Sequence, residues 1–116
     1  MHITIKRAYE LVSDTDGYRV LVDRLWPRGV KKEALQLEEW CKDVAPSTDL
    51  RKWFGHDPAR FDEFRARYLE ELTMSDAPQQ LLERAAASTR LTLIYAAKDP
   101  MINHARVLRE YLEHLL

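Results

Sequence analysis

Apolar and polar positions alternate first at Ile3-Thr4-Ile5-Lys6, the pattern of a half-buried edge strand. The turn cluster Ser13-Asp14-Thr15-Asp16-Gly17 follows. Next comes Tyr18-Arg19-Val20-Leu21-Val22, whose continuous Val-Leu-Val centre predicts a strand covered on both faces. Leu37, Trp40, Cys41 and Val44 sit at i, i+3, i+4 and i+7, which by count favours a helix. A strand from Glu38 to Val44 is the other reading, with a poorer face. Ser47 or Thr48 predicts the cap of a short helix through Trp53-Phe54, ended by Gly55. Asp57-Pro58 opens a helix whose stripe is Phe61, Phe64, Tyr68 and Leu72. Pro78 starts another, carrying Leu81, Leu82 and Ala85. Leu91-Thr92-Leu93-Ile94-Tyr95-Ala96-Ala97 is the clearest strand. Asp99-Pro100 repeats the cap signal ahead of a last helix running through Met101, Ala105, Leu108, Leu112 and Leu115.

Two central strands that each lead into a polar segment, with helices between and after, predict a small α/β sandwich. Its sheet is three- to four-stranded and mainly parallel, with flanking helices. No internal repeat or long linker divides the chain, so residues 1–116 make one domain. One difficulty stands against a simple parallel order. The gap Arg7 to Gly17 holds 11 residues, short for a crossover helix, so the first strand is either parallel or an antiparallel or irregular edge.

Composition narrows the function classes. With 18 basic and 19 acidic residues the formal net charge is -1, so no global field draws the chain to nucleic acid or anionic lipid. Arg60, Arg65 and Arg67 are interleaved with Asp62, Glu63, Glu70 and Glu71, which suits an ordinary exposed helix better than a nucleic-acid reader. The single cysteine, Cys41, excludes a disulfide framework, and His2, His56, His104 and His114 lack paired metal-ligand spacing. No metal or cofactor is expected. No apolar run approaches the roughly 20 residues that span a bilayer, and the N-terminus has no cleavable signal pattern. The expectation is a cytoplasmic protein with no membrane partner.

Two stretches carry candidate chemistry. Asp23-Arg24-Leu25-Trp26-Pro27-Arg28-Gly29 leaves a buried strand at the carboxyl edge of the sheet, where ligands of such folds gather. Two guanidiniums four residues apart can converge on one phosphate or carboxylate, since each planar fork donates parallel hydrogen bonds. The bland alternative has Arg24 paired with Asp23, Asp43 or Asp99 while Trp26 only packs. An aromatic before Pro27 leaves that peptide's isomer open. Ala97-Lys98-Asp99 through Asn103-His104 leaves the other central strand and enters a helix, whose N-terminus suits an anion. Lys98 adds a point charge, Asn103 a hydrogen bond and His104 a proton. On the bland side, Asp99 is a cap, Lys98 is solvated and His104 donates to a backbone carbonyl. Ser47 is an N-cap first and a ligand contact second. His56 reads as mainly structural, and no nucleophile elbow surrounds Ser47.

Val22-Asp23-Arg24-Leu25-Trp26-Pro27-Arg28-Gly29, Ala45-Pro46-Ser47, Leu50-Arg51-Lys52-Trp53-Phe54-Gly55-His56-Asp57-Pro58 and Ala97-Lys98-Asp99 through Asn103-His104-Ala105 resemble the YeaO-like bacterial proteins, domain-of-unknown-function family number 488. The likeness covers essentially the whole chain. It implies a compact α/β fold, tips residues 38–44 toward a strand, and assigns no reaction. The resulting expectation is an anion pocket at the carboxyl edge of the sheet. Arg24, Arg28 and Lys98 bind the charge, Asn103 and Ser47 assist, Asp23 orients an arginine, and His104 is the acid/base candidate. The rival is a non-catalytic interaction module that docks an acidic partner or single-stranded nucleic acid through Trp26 and the arginines. Burial separates them: a concave site with inward arginines against a flat surface with Trp26 exposed. Substrate, reaction and oligomeric state stay open.

Overall fold

In a computed structural model describing residues 1–116, strand β4 (Arg90–Tyr95) lies at the centre of the molecule. Leu91, Leu93 and Tyr95 face one side and Thr92 and Ile94 the other, and all five are buried. β1 (His2–Arg7) pairs with β4 in parallel from His2 opposite Arg90 to Arg7 opposite Tyr95. β2 (Tyr18–Leu21) pairs with the other side of β4, Leu21 opposite Ile94, and β3 (Glu39–Trp40) adds to β2. The order is β1-β4-β2-β3, four strands and every pair parallel.

The short gap after the first strand is explained by that order. β1 and β2 are not neighbours; they flank β4, so the return needs length but no covering helix. The ten residues from Ala8 to Gly17 reach about 33 Å when extended, more than the roughly 20 Å length of a six-residue strand. A 3-10 turn at Asp14–Asp16, capped by Ser13, ends the return. Gly17 is required there: its φ is 66°, and a Cβ would stand 2.3 Å from the Arg90 carbonyl oxygen.

Residues 35–44 match neither simple reading. One helical turn, α1 (Lys32–Leu35), stops at Gln36 in the left-handed region with φ 47°. The chain then extends along the open edge of β2, with Glu38 N–H on the Arg19 carbonyl at 2.8 Å and Cys41 N–H on the Leu21 carbonyl at 2.9 Å. Unpaired β2 backbone groups outweigh the helical spacing, leaving a two-residue strand and a 3-10 turn at Lys42–Val44.

The larger core lies between one sheet face and the remaining helices: α2 (Thr48–Phe54), α3 (Phe61–Thr73), α4 (Ala77–Arg84) and α5 (His104–Leu115). Phe64, Tyr68 and Leu72 of α3 and Ala105, Leu108 and Leu112 of α5 are its buried stripes. Ser47 and Gly55 bound α2, and Asp57 caps the 3-10 turn at Pro58–Arg60 ahead of α3. The last helix begins later than Asp99-Pro100 implies. Asp99 Oδ1 accepts from the Met101 and Ile102 N–H groups, closing a turn, and the extended Asn103 is the true N-cap, accepting from Arg106 N–H at 3.0 Å. Met101 is therefore exposed instead of joining the stripe.

The opposite sheet face holds a small cluster of Ala8, Leu21, Leu35 and Ile94 beside a buried polar knot. Arg19 donates to Asp16 Oδ2 at 2.6 Å and to the Leu35 carbonyl at 2.8 Å, so one guanidinium satisfies an orphan carbonyl at the end of α1. Lys6 Nζ reaches Asp16 at 3.1 Å, and the Thr92 hydroxyl donates to the Asp16 carbonyl at 2.6 Å. Burial alone raises the Asp16 pKa. The Ser13 N–H, Lys6 and Arg19 outweigh it and hold the carboxyl below its ordinary range. No helix is long and apolar enough to cross a membrane.

Candidate functional site

The chain leaves β2 toward the face carrying α1 and leaves β4 toward the face carrying α5, so the carboxyl ends of two adjacent strands open onto a crevice. A cavity of about 660 Å³ occupies it. Asp23, Arg24, Trp26, Pro27 and Arg28 line it from the β2 side, and Ala96, Lys98, Asp99, Asn103 and His104 from the β4 side. Pro46, Arg51, Phe54, His56 and Phe64 close the third wall. The two candidate stretches therefore meet in one hollow.

Asp23 is the hinge of this arrangement. Its Oδ2 accepts the Ala96 N–H at 2.9 Å and its backbone carbonyl accepts the Trp40 indole N–H at 2.7 Å, tying the end of β2 to β4 and β3. Oδ1 stands 2.9 Å from His104 Nε2. The ring N–H, however, is aligned with the Val22 carbonyl at 3.1 Å, which leaves Oδ1 buried with a charge contact but no aligned hydrogen bond. Both neighbours of Nε2 are acceptors, so Nε2 carries a proton. Tyr68 packs edge-on against the imidazole with centroids 6.4 Å apart. Its hydroxyl donates to the Val44 carbonyl, and complete burial pushes its pKa far up, so it stays a neutral donor.

Arg24 is half-buried and pairs with none of Asp23, Asp43 or Asp99. Its Nε donates to the Pro46 carbonyl at 3.1 Å and Nη2 faces the Ala45 carbonyl at 3.4 Å. The structural ion pair considered from sequence is absent, and the charge is not neutralised. Arg28, Arg51 and Lys98 likewise take part in no ion pair. Arg28 and Lys98 are exposed at the rim, while Arg51 is partly buried and its Nε has no hydrogen-bond partner. Trp26 is not an exposed docking side chain. Its indole N–H donates to the Val30 carbonyl at 2.7 Å and its ring meets Trp40 edge-on at 5.3 Å. The Trp26–Pro27 peptide is trans.

Three expectations change. Asp23 orients no arginine; it faces His104. Ser47 is not in the cavity wall: its hydroxyl donates to Glu71 Oε2 at 2.6 Å and accepts from Leu50 N–H, a cap anchored to α3. Asn103 is in the wall, but its amide is spent on the turn, donating to the Asp99 carbonyl at 2.9 Å and accepting from Arg106. Arg51 and Arg7 received no role from sequence. Arg7 donates from Nε to the Ala97 carbonyl at 2.9 Å and steadies the loop after β4. A signal for Arg51 existed, because it lies four residues after Ser47 and three before the core residue Phe54, on one helix face. No group of His, Cys, Asp and Glu side chains is arranged to hold a metal.

The comparisons with known proteins agree with one another. The family model described as "Inactive DUF488-N3 subclade" matches residues 2–116. The chain belongs to that family. Similar proteins occur in Escherichia coli and in mycobacteria. The uncharacterised protein YeaO of Escherichia coli is 46% identical over 115 residues, covering 99% of this chain and 100% of the relative. An uncharacterised Mycobacterium tuberculosis protein is 44% identical over 110 residues, 95% of this chain and 92% of its own. No solved structure matches the chain. The expected YeaO-like kinship and the parallel α/β fold are both borne out.

Proposed function

We propose that the cavity between β2 and β4 is a receptor for a small organic anion, a phosphate or a carboxylate. The observation that carries this reading is the lining: Arg24, Arg28, Arg51 and Lys98 share one hollow and none has a carboxylate partner. Uncompensated like charges held together repel one another, and a bound anion removes that cost. The cavity also falls in the size range of small-molecule sites, with apolar walls and a few convergent polar groups. Trp26, held by Val30 and Trp40, counts against a flat docking surface for an acidic peptide or a nucleic-acid strand. The lone buried thiol of Cys41 is consistent with a reducing compartment, the cytoplasm.

Calorimetric titration with inorganic phosphate, acetate and simple phosphate esters tests the reading. Saturable binding to the parent that weakens by about tenfold or more in Arg28→Ala supports it. Equal binding by the folded variant contradicts it.

The subclade's description as inactive favours binding without turnover. A second reading has one geometry in its favour: a carboxylate 2.9 Å from His104 Nε2 holds the imidazole for acid/base work. The two separate on incubation. A bound phosphate ester whose spectrum stays unchanged over days fits the receptor, whereas conversion that vanishes in His104→Gln establishes turnover.

A further inference from the structure

We infer that the natural ligand is an amphiphilic organic acid, with its anionic head on the cationic side chains and its apolar body against Leu25, Trp26 and Ile102. The inference rests on the anion-receptor reading above and adds the part of the ligand that carries no charge.

Size comes first. The hollow holds about 660 Å³. An inorganic phosphate has five heavy atoms and, at the roughly 30 Å³ per atom that a water takes in the liquid, fills about a quarter of that space. A molecule matched to the cavity brings a body several times the bulk of its charged group.

The wall comes second. Most of the surface it presents is apolar. Leu25 is 60% exposed and Tyr9 49%, and both line the hollow. Trp26 and Ile102, each partly buried, extend the wall on the β2 and β4 sides. A lone exposed leucine carries no meaning by itself, but four large apolar side chains around one concavity mark a surface that gains by being covered. The cations stand among them. The Tyr9 hydroxyl donates to the Arg28 carbonyl at 3.0 Å, and Arg28 and Lys98 are exposed at the rim. A polyhydroxylated anion gains nothing from Leu25 or Ile102. A purely apolar molecule leaves Arg28 and Lys98 without a counter-charge. An acid with a hydrocarbon body answers both.

The experiment titrates the protein with acetate, butyrate, hexanoate and neutral hexan-1-ol, read by two-dimensional amide NMR. A fully buried methylene is worth about fourfold in affinity, so hexanoate should bind about tenfold or more tightly than acetate in this open hollow. Hexan-1-ol, which lacks the charge, should bind about tenfold more weakly than hexanoate. Leu25→Ser alters an exposed side chain and should leave the amide pattern away from the site unchanged, which shows that the variant is folded. It should cut the advantage of hexanoate over acetate about threefold while the acetate affinity holds. Equal affinities along the acid series, or an advantage untouched by Leu25→Ser, overturn the apolar contact while leaving the anion receptor standing. Hexan-1-ol binding as tightly as hexanoate, or failure of inorganic phosphate and all three acids to bind, overturns the receptor and this inference with it.

Discussion

Asp23 Oδ1 and His104 Nε2 stand 2.9 Å apart, joining the end of β2 to the first residue of α5 across 81 positions of sequence. Each is only about 15% exposed, at 14% for Asp23 and 15% for His104, so the contact works in a medium that screens it weakly. The same carboxylate receives the Ala96 N–H, so one side chain fixes both the strand edge and the imidazole. Site geometry and fold stability are thus coupled at one residue.

Asp23→Ala should destabilise the protein by about 1–3 kcal/mol, the cost of leaving the partly buried Ala96 N–H without its acceptor. Asp23→Asn keeps an acceptor for that N–H and should recover a good part of the loss. Urea denaturation of the three proteins reads the difference.

Arg24 and Arg28 should behave differently despite belonging to one motif. Arg28 is exposed and its side chain supports nothing, so Arg28→Ala should change stability by less than about 0.5 kcal/mol while weakening anion binding. Arg24 donates to the Pro46 carbonyl and holds the loop before α2, so Arg24→Ala should lose about 1–3 kcal/mol and anion affinity together. Parallel thermal melts and phosphate titrations separate the two roles.

The polar knot under the other sheet face predicts an acid response. Asp16 has its carboxyl pKa lowered in the folded state by the Ser13 N–H, Lys6 and Arg19, against the opposing effect of burial. A depressed folded pKa stabilises above the unfolded value of about 4 and the contribution is lost as pH falls through the folded value. Stability should therefore drop below about pH 4, more steeply in the parent than in Asp16→Asn. That variant, which leaves Arg19 buried without its counter-ion, should lose about 3–5 kcal/mol at neutral pH. Denaturant midpoints between acid and neutral pH test both statements.

Gly17→Ala should be among the most damaging single-methyl additions. The backbone dihedral alone costs about 1–3 kcal/mol, and the Cβ meets the Arg90 carbonyl oxygen at 2.3 Å. A large fall in melting temperature is expected. An unchanged one would mean that the turn before β2 is not tight against β4.

Strong local signals were legible in sequence: the Ser47 and Gly55 caps, the Asp57-Pro58 start and the Phe64, Tyr68, Leu72 stripe each report on their own few residues. What sequence left open depends on distant partners. The direction of β1 follows from β4 lying between it and β2, and no residue near position 10 encodes that insertion. Residues 35–44 carry helical spacing, but the free edge of β2 decides their fate. Asp99-Pro100 is a real cap signal used by a turn, because Asn103 offers a second cap four residues on. At the site, the strand ends announced Asp23, Arg24, Arg28, Lys98 and His104. The helix face of Arg51 was legible from Ser47 and Phe54, but not that it lines the cavity, because helix α2 is placed there by the tertiary packing of Phe54 and Phe64, whose stacked rings stand 4.3 Å apart.

The most direct measurement is a two-dimensional amide NMR titration of the parent protein with inorganic phosphate at constant ionic strength. Saturable shifts confined to residues 23–28, 96–104 and the neighbourhood of Arg51 are predicted, together with their loss in Arg28→Ala. Shifts that fail to saturate, or that scatter over surface lysines and arginines away from the β2–β4 crevice, would contradict the receptor.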